Sequence, residues 1–311
     1  MKKQKQKQGP SLWQDLNPFL LSKIFSFLDF NDQLFGAPFV CRSWLSSTVD
    51  TLFKNSSLDL RLIDTLDEEN QRLRFTHLLK LALNQYHGWV SIYFPTKHLF
   101  GYFGTLYIAE RTPSVSSVVL SSSGVCGDFA IFVSLLYWKN LKVFRAPVGP
   151  ENGFHLISQL ADRCKKLKEI RLQGTIMEKE VSSIVEGFPG LQILDFSEST
   201  LSSNALDIVF DGRLKFVKEI NILHSKVIDD EGKDIREDYW RLNEFRNKVL
   251  EKAAGIKSLK KLSHSSWSKD RSEVGAGLWV FFTCGFPGWG LPIAGGADQS
   301  PVSRGRKSGN G

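Results

Sequence analysis

The sequence predicts an α/β protein in which three short N-terminal helices precede an irregular solenoid of stacked strand–helix units. In such a solenoid, parallel strands line a concave face and helices cover a convex face. Two observations predict this fold: an apolar helical pattern confined to residues 12–60, and a short apolar core that recurs between residues 89 and 270. A chain of 311 residues with 42% hydrophobic residues can bury a core of this size.

The N-terminal pattern begins after residues 1–11, which are polar and basic and are predicted to be disordered. Asn17 suits a helix N-cap, Pro18 suits the first turn, and Asn31-Asp32 offers a second cap. The apolar residues of the first helix follow at helical spacing: Leu20, Leu21, Ile24, Phe25 and Leu28. Three helices this short cannot be stable alone, so either the rest of the chain or another protein must cover them.

The order of residues in this segment is similar to that of the F-box. The matching residues are Trp13, Asp15-Leu16, Pro18, Leu21, Ile24-Phe25, Leu28 and Val40-Cys41-Arg42-Ser43-Trp44. The resemblance covers residues 12–60 and departs from the commonest pattern once, where Asn17 separates Leu16 from Pro18. In that family the motif is a three-helix unit that docks on a Skp-type adaptor, which is itself bound to a cullin scaffold.

The resemblance implies that seven residues divide between adaptor contacts and the core of the unit: Leu16, Pro18, Leu21, Ile24, Phe25, Val40 and Trp44. We expect Leu16, Pro18 and Phe25 to contact the adaptor, and Leu28 and Trp44 to be core. The alternative that all of them are core stays open, because pattern alone does not separate the two kinds of position.

The middle of the chain is periodic. A short apolar core begins at Val115, Leu141, Leu167, Leu191 and Val217, in steps of 24–26 residues, and Val90 and Leu259 extend the series. Buried helical positions are predicted ten and seven residues before the next core, at Ile131, Ile157, Val181, Leu160, Ile184 and Phe210. Stacked units of this kind share one core, and their length is within the range of leucine-rich repeats.

These units, about six or seven in number, resemble the irregular repeats of plant F-box/leucine-rich-repeat proteins. Gly174 and Ser197 stand where such repeats usually have Asn or Cys after the strand. Eight residues are the candidate target-binding positions on the concave face: Lys142, Arg145, Lys168, Arg171, Gln192, Asp195, Lys218 and Asn221. A plain solvated face is the alternative.

Three other segments have their own character. Residues 61–88 are predicted to form a junction helix with one apolar face made of Leu73, Leu78, Leu81 and Ala82. Residues 228–244 are a charged insertion, either a target-contacting loop or a solvated loop before a last helix that is anchored by Trp240, Phe245 and Leu250. Residues 271–311 are rich in glycine and aromatic residues, and we expect them to be disordered and outside the family fold.

No catalytic motif is present, and the four cysteines and six histidines lack metal-ligand spacing, so we expect no enzyme activity and no cofactor. The longest apolar stretch is too short to span a bilayer and no signal-peptide pattern begins the chain, which predicts a nuclear or cytoplasmic protein without a membrane partner. The resemblance implies a substrate-recognition adaptor of an SCF-type ubiquitin ligase with an unknown target. Two alternatives stay open: a non-degradative F-box scaffold, and a repeat module for peptide or, less in keeping with the pattern, nucleic acid.

Overall fold

The computed structural model describes residues 13–53, 56–98, 100–121, 128–265 and 279–283. The N-terminal helical segment (residues 13–53) contains three α-helices and two short 3₁₀ helices. These are a 3₁₀ helix at Trp13–Asp15, α1 at Pro18–Phe25, α2 at Phe30–Phe35, a 3₁₀ helix at Ala37–Phe39 and α3 at Arg42–Leu52. The three predicted helices are therefore confirmed, whereas the predicted disorder of residues 1–11 lies outside the described residues.

The first helix is capped as predicted and the second is not. The side chain of Asn17 accepts a hydrogen bond from the backbone N–H of Phe19 at 2.8 Å, and Pro18 occupies the first turn of α1. At α2 the cap is Asp29, whose carboxylate accepts from the N–H of Asp32 at 2.7 Å. The second helix thus begins earlier than Asn31-Asp32 suggested, because Asp29 provides an equally good capping oxygen.

A parallel sheet forms the rest of the fold. Its main strands lie side by side in chain order: β1 Ser57–Asp59, β2 Ser91–Tyr93, β3 Ser117–Val119, β4 Val143–Val148, β5 Glu169–Ile176, β6 Ile193–Asp195, β8 Glu219–Ile222, β10 Lys261–Ser265 and β11 Trp279–Thr283. Two further strands, β7 Thr200–Ser202 and β9 Lys226–Ile228, extend the end of β5 into a second row of parallel pairs. Five of the predicted cores (Val115, Leu141, Leu167, Leu191 and Val217) are buried two residues before a strand, as is Leu259, which confirms the periodic pattern for these units. The assignment of Val90 is wrong, because Val90 is 46% exposed and Trp89 is the buried residue two positions before β2.

Helices between the strands cover one face of the sheet. They are α4 Glu69–Gln85, α5 Gly101–Arg111, α6 Asp128–Ser134, α7 Gly153–Arg163, α8 Glu178–Gly187, α9 Ser203–Val209 and α10 Tyr239–Ala254, with 3₁₀ helices at Leu60–Thr65 and Ile235–Glu237. The six residues predicted at buried helical positions, from Ile131 to Phe210, are all buried. Alternate strand residues such as Phe144 and Ala146 also face this core. The opposite face of the sheet, which we call the open face, carries side chains that are partly exposed to solvent.

The sheet begins earlier than the sequence pattern indicated. Strand β1 pairs in register with β2, Leu58 opposite Ile92, so Ser57–Asp59 belongs to the sheet and the predicted boundary at residue 60 is wrong. In the junction region the buried face of α4 contains Phe75, Leu78 and Ala82, whereas Leu73 is 54% exposed and was wrongly placed on that face.

The charged insertion ends in a long helix. Its first residues turn tightly around Asp229, whose carboxylate accepts from the N–H groups of Glu231 and Lys233. Phe245 and Leu250 of α10 pack against the core as predicted, but Trp240 is 78% exposed and is not an anchor. The arrangement is that of a solvated turn before a last helix, and a target-contacting role stays a prediction.

The C-terminal tail contributes one strand. Trp279–Thr283 pairs in parallel with β10, with Leu262 opposite Val280, so for these residues the expectation of a disordered tail outside the fold is wrong. The glycine-rich sequence on either side concealed a strand of only five residues. The remaining residues of 271–311 lie outside the described residues, and the prediction for them is untested.

Gly174 stands at the point where β5 changes partners. It lies opposite Val148 of β4, and the next residue, Thr175, pairs with Thr200 of β7. Its φ is +133°, and a Cβ at this position would lie 2.0 Å from the carbonyl oxygen of Val148. The branch between the two rows of strands therefore requires glycine, both for its backbone angle and for the approach of β4.

Asp64 ties the loop after β2 to the 3₁₀ helix at Leu60–Thr65. Its carboxylate accepts hydrogen bonds from the N–H groups of Thr96, Lys97 and His98 and from the hydroxyl of Thr96, at 2.6–3.1 Å. Burial by itself raises the pKa of Asp64, but these hydrogen bonds outweigh it and hold the pKa at about 2. The ionised carboxylate is thus the form that stabilises this loop.

We expect Asp64→Asn to reduce stability at neutral pH and to lessen the acid sensitivity of the protein. Because the folded pKa lies below the unfolded one, the contribution of Asp64 is present above about pH 4 and is lost as the pH falls towards about 2; it amounts to about 2 kcal/mol. Urea unfolding between these pH values measures it. The control is Asp162→Asn at an exposed position of α7, and equal pH profiles for the wild type and Asp64→Asn would contradict the prediction.

Candidate docking surfaces

The N-terminal helical segment has a small core of its own. Leu21, Phe25 and Ala37 are buried in it, and Leu16, Leu28 and Trp44 pack around them. The rings of Phe25 and Trp44 lie 5.1 Å apart, and the indole N–H of Trp44 donates to the carbonyl oxygen of Trp13 at 3.2 Å. Leu28 and Trp44 thus pack against this core while partly exposed, and Phe25, which was expected to contact the adaptor, is fully buried within it.

Other residues of the same segment are apolar and exposed. Among the predicted contacts Pro18, Ile24 and Val40 are exposed, Ile24 by 45% and Val40 by 56%, while Leu16 is half-buried and Leu21 is core. Exposed apolar residues that were not predicted are Trp13, Phe19, Leu20, Phe27 and Phe39. Since a monomer rarely leaves so many large side chains in water, this exposed apolar patch is a candidate docking surface.

The composition of α1 contains a signal for the exposed apolar residues that were not predicted. Helix α1 reads PFLLSKIF and is apolar on almost every side, whereas its core requires only the stripe of Leu21 and Phe25. A helix that is apolar all round is buried on all sides. The additional apolar residues Phe19, Leu20 and Ile24 therefore indicate that another protein buries this side of α1.

The helical segment is joined to the sheet through a shared core. Leu34, Val49 and Phe53 are buried in the large core that runs beneath the sheet, not in the small one. Phe75 of α4 is fully buried at this junction, with its ring 5.7 Å from that of Phe53 and 6.4 Å from that of Phe30. The segment thus has a fixed packing on the first strand–helix unit.

Polar contacts support the same junction. The guanidinium of Arg74 lies over the rings of Phe35 and Phe39, 4.8 and 4.5 Å from their centroids. The amide of Gln71 donates to the side chain of Asn31 at 2.9 Å. Each of these contacts connects α4 to the helical segment, so the exposed apolar patch has a defined orientation relative to the sheet.

The open face of the sheet carries charges that are paired between neighbouring strands. Arg145 contacts Glu169 and Arg171 contacts Asp195, each at 2.6 Å. The side chain of Asp195 is nearly buried and also accepts from the N–H and hydroxyl of Ser197. Four of the predicted target-binding residues are brought together here: Arg145, Arg171, Asp195 and Asn221.

The other four predicted residues do not lie on this face. Lys142, Lys168, Gln192 and Lys218 each come directly before a strand, where their carbonyl oxygens accept hydrogen bonds from the next unit. Residues that share the open face but were not among the eight candidate target-binding positions are Glu169, Glu219, Lys261 and Ser263. The two-residue alternation within each strand places Glu169 and Glu219 on this face, since they occupy the same position as Val143.

Within the described part of the chain, His, Cys, Asp and Glu side chains form no group of three or more that could hold a metal ion. None of the described helices combines the length and the apolar character that crossing a membrane requires.

Comparison with known proteins identifies the N-terminal helical segment. A family model described as F-box domain matches residues 13–55. The chain carries an F-box. It is also similar to an F-box/LRR-repeat protein of Arabidopsis thaliana, with 24% identity over 271 residues that cover 79% of this chain and 82% of the relative. The resemblance to plant F-box/leucine-rich-repeat proteins is therefore confirmed, and the small core and exposed apolar patch described above are those of the F-box.

Proposed function

We propose that this F-box protein is a non-catalytic substrate-recognition subunit of an SCF-type ubiquitin ligase. In this proposal the F-box docks a Skp-type adaptor and through it a cullin scaffold. The strand–helix units form an irregular leucine-rich-repeat solenoid with its open face concave, and they bind a target protein in the nucleus or cytoplasm. The chain then acts by proximity, because it raises the concentration of the target near the ubiquitin-conjugating enzyme.

The exposed apolar patch of the F-box is the observation that carries this proposal. Its side chains Phe19, Ile24 and Val40 remain in water although a separate small core already satisfies the helices. Covering such residues with a partner removes apolar area from water, at about 25 cal/mol per Å². The shared core at the junction supports the proposed presentation of a target by the strand–helix units, because an adaptor bound to the F-box would then hold the sheet in a fixed position.

The open face favours a protein target over nucleic acid. Its basic residues Arg145 and Arg171 are each paired with a carboxylate of the neighbouring strand. A phosphate backbone would have to displace Glu169 and Asp195, whereas a polar protein surface can exchange hydrogen bonds with both signs of charge.

Capture by a purified Skp-type adaptor tests the proposal. We expect the wild type to be captured and the double variant Ile24→Ala/Val40→Ala to bind about tenfold more weakly or worse, because it loses apolar contacts at the patch while its core stays intact. The matched control is Leu73→Ala/Val90→Ala, which removes two similarly exposed aliphatic side chains outside the F-box. No capture of the wild type would overturn the function, and equal capture of both variants would overturn the assignment of the patch.

A further inference from the structure

A second charged surface lies at the edge of the sheet where the strands begin. In the turns before β4, β5, β8 and β10, the residue directly before the strand is an exposed lysine: Lys142, Lys168, Lys218 and Lys260. The equivalent residue before β6 is Gln192. Since neighbouring strands lie about 4.8 Å apart, these side chains form one row across the end of the sheet.

A second row runs beside the first. Three residues earlier in the same turns stand Lys139, Lys165, Lys215 and Lys257, all exposed, and Lys166 adds one more charge. Residues 138–142, 164–168, 188–192, 214–218 and 256–260, which form these five turns, contain no Asp or Glu. We name these nine lysines the lysine edge.

The charge of the lysine edge is not neutralised within the described part of the chain. None of its nine lysines forms an ion pair with a described residue, and the hydrogen bonds of Lys166, Lys168 and Lys218 go to neutral oxygens of Asn140, Gly190 and Gln192. On the open face, by contrast, Lys261 forms an ion pair with the carboxylate of Glu219. The two arginines of that face, Arg145 and Arg171, are likewise paired with carboxylates. The unpaired positive charge of the sheet therefore lies at its edge and not on its open face.

A run of like charges repels itself and attracts a partner of opposite sign. We propose that the lysine edge binds a segment of the target protein that is rich in Asp and Glu. This inference rests on the proposed function, in which the target is a protein. The two surfaces then bind different parts of the target: the open face binds a polar surface, and the lysine edge binds an acidic segment beside it.

The residue types of the edge favour an acidic polypeptide over a nucleic acid. Single-stranded nucleic acids are bound on aromatic platforms, but Trp138 and Phe188 of these turns are buried and Phe216 is their one exposed aromatic residue. Bidentate phosphate contacts use arginine, whereas the edge offers lysine, a point charge on a long side chain. Such groups suit carboxylates whose positions vary along a chain.

Binding of a labelled oligoglutamate peptide to the full chain, in complex with its Skp-type adaptor, tests the inference. We expect binding at low ionic strength that weakens with salt, and at least about tenfold weaker binding for Lys142→Gln/Lys168→Gln/Lys218→Gln/Lys260→Gln. The matched control removes four exposed lysines from other surfaces, at Lys80, Lys97, Lys179 and Lys226, so that both variants have the same net charge. Its affinity should stay within about twofold of the wild type.

Three results would overturn the inference. One is no peptide binding by the wild type, and another is an equal loss in both quadruple variants, which would reduce the effect to overall net charge. The third is stronger binding of an oligouridylate of equal charge, which would assign the edge to nucleic acid. Adaptor capture is measured on the same variants, because lysine substitutions that leave capture intact separate a failure of this inference from a failure of the proposed function.

Discussion

Gly174→Ala is expected to destabilise the protein by about 3 kcal/mol or more, since the new methyl group meets both backbone strain and a clash. The φ of +133° belongs to a region that residues with a Cβ rarely adopt, and the Cβ would lie 2.0 Å from the carbonyl oxygen of Val148. Relief would require β4 and β5 to separate where the second row of strands begins. Urea unfolding of the wild type and the variant measures the loss.

Gly212→Ala is the control that separates these two causes. Gly212 has a φ of +87° but no atom within 4 Å of its ideal Cβ, so that its substitution introduces strain without a clash. We expect this variant to lose about 1–2 kcal/mol. Equal losses for the two variants would show that the approach of Val148 to Gly174 has no energetic consequence.

Phe75→Ala is expected to cost about 3–5 kcal/mol, because it empties the centre of the junction between the F-box and the sheet. Phe75 is fully buried between the rings of Phe30 and Phe53. Its loss removes packing from both sides, so we also expect the amides of α1 to α3 to exchange faster with solvent than in the wild type, relative to those of β4 and β5. Urea unfolding and hydrogen exchange provide the two measurements.

Leu73→Ala on the same helix is the matched control. Leu73 is 54% exposed, and its substitution should change stability by no more than about 0.5 kcal/mol. If Phe75→Ala lowered the stability of the sheet but left the relative protection of α1 to α3 unchanged, the F-box would be held by other contacts, such as those of Arg74 and Gln71.

The sequence predicted the strands well because their pattern is local and repeated. A buried residue such as Leu141 or Leu167 recurs two residues before the strand in successive units, and its role requires no knowledge of distant contacts. The same reasoning missed β1 and β11, because neither strand follows the 24–26-residue spacing of the repeated cores.

The candidate surfaces were harder to predict, for two physical reasons. In the F-box, Ile24 and Phe25 are adjacent and equally apolar, and only the packing of α1 against Trp44 decides that Phe25 is core and Ile24 is exposed. Along the sheet, Lys142 and Arg145 are three residues apart, yet one lies in the turn and the other in the strand. If the first residue of a strand is predicted one position too early, a side chain at the edge of the sheet is assigned to the open face.

The register of the parallel strands also fixes how far the sheet would grow or shrink if one strand–helix unit were gained or lost. Neighbouring strands from β1 to β8 pair residue for residue across the sheet, so duplication or deletion of one unit would shift every later strand by about 4.8 Å relative to the F-box. The junction around Phe75 would not change. Under the proposed function, the distance between the ligase and its target would therefore change in discrete steps, by gain or loss of whole units, while the F-box stays the same.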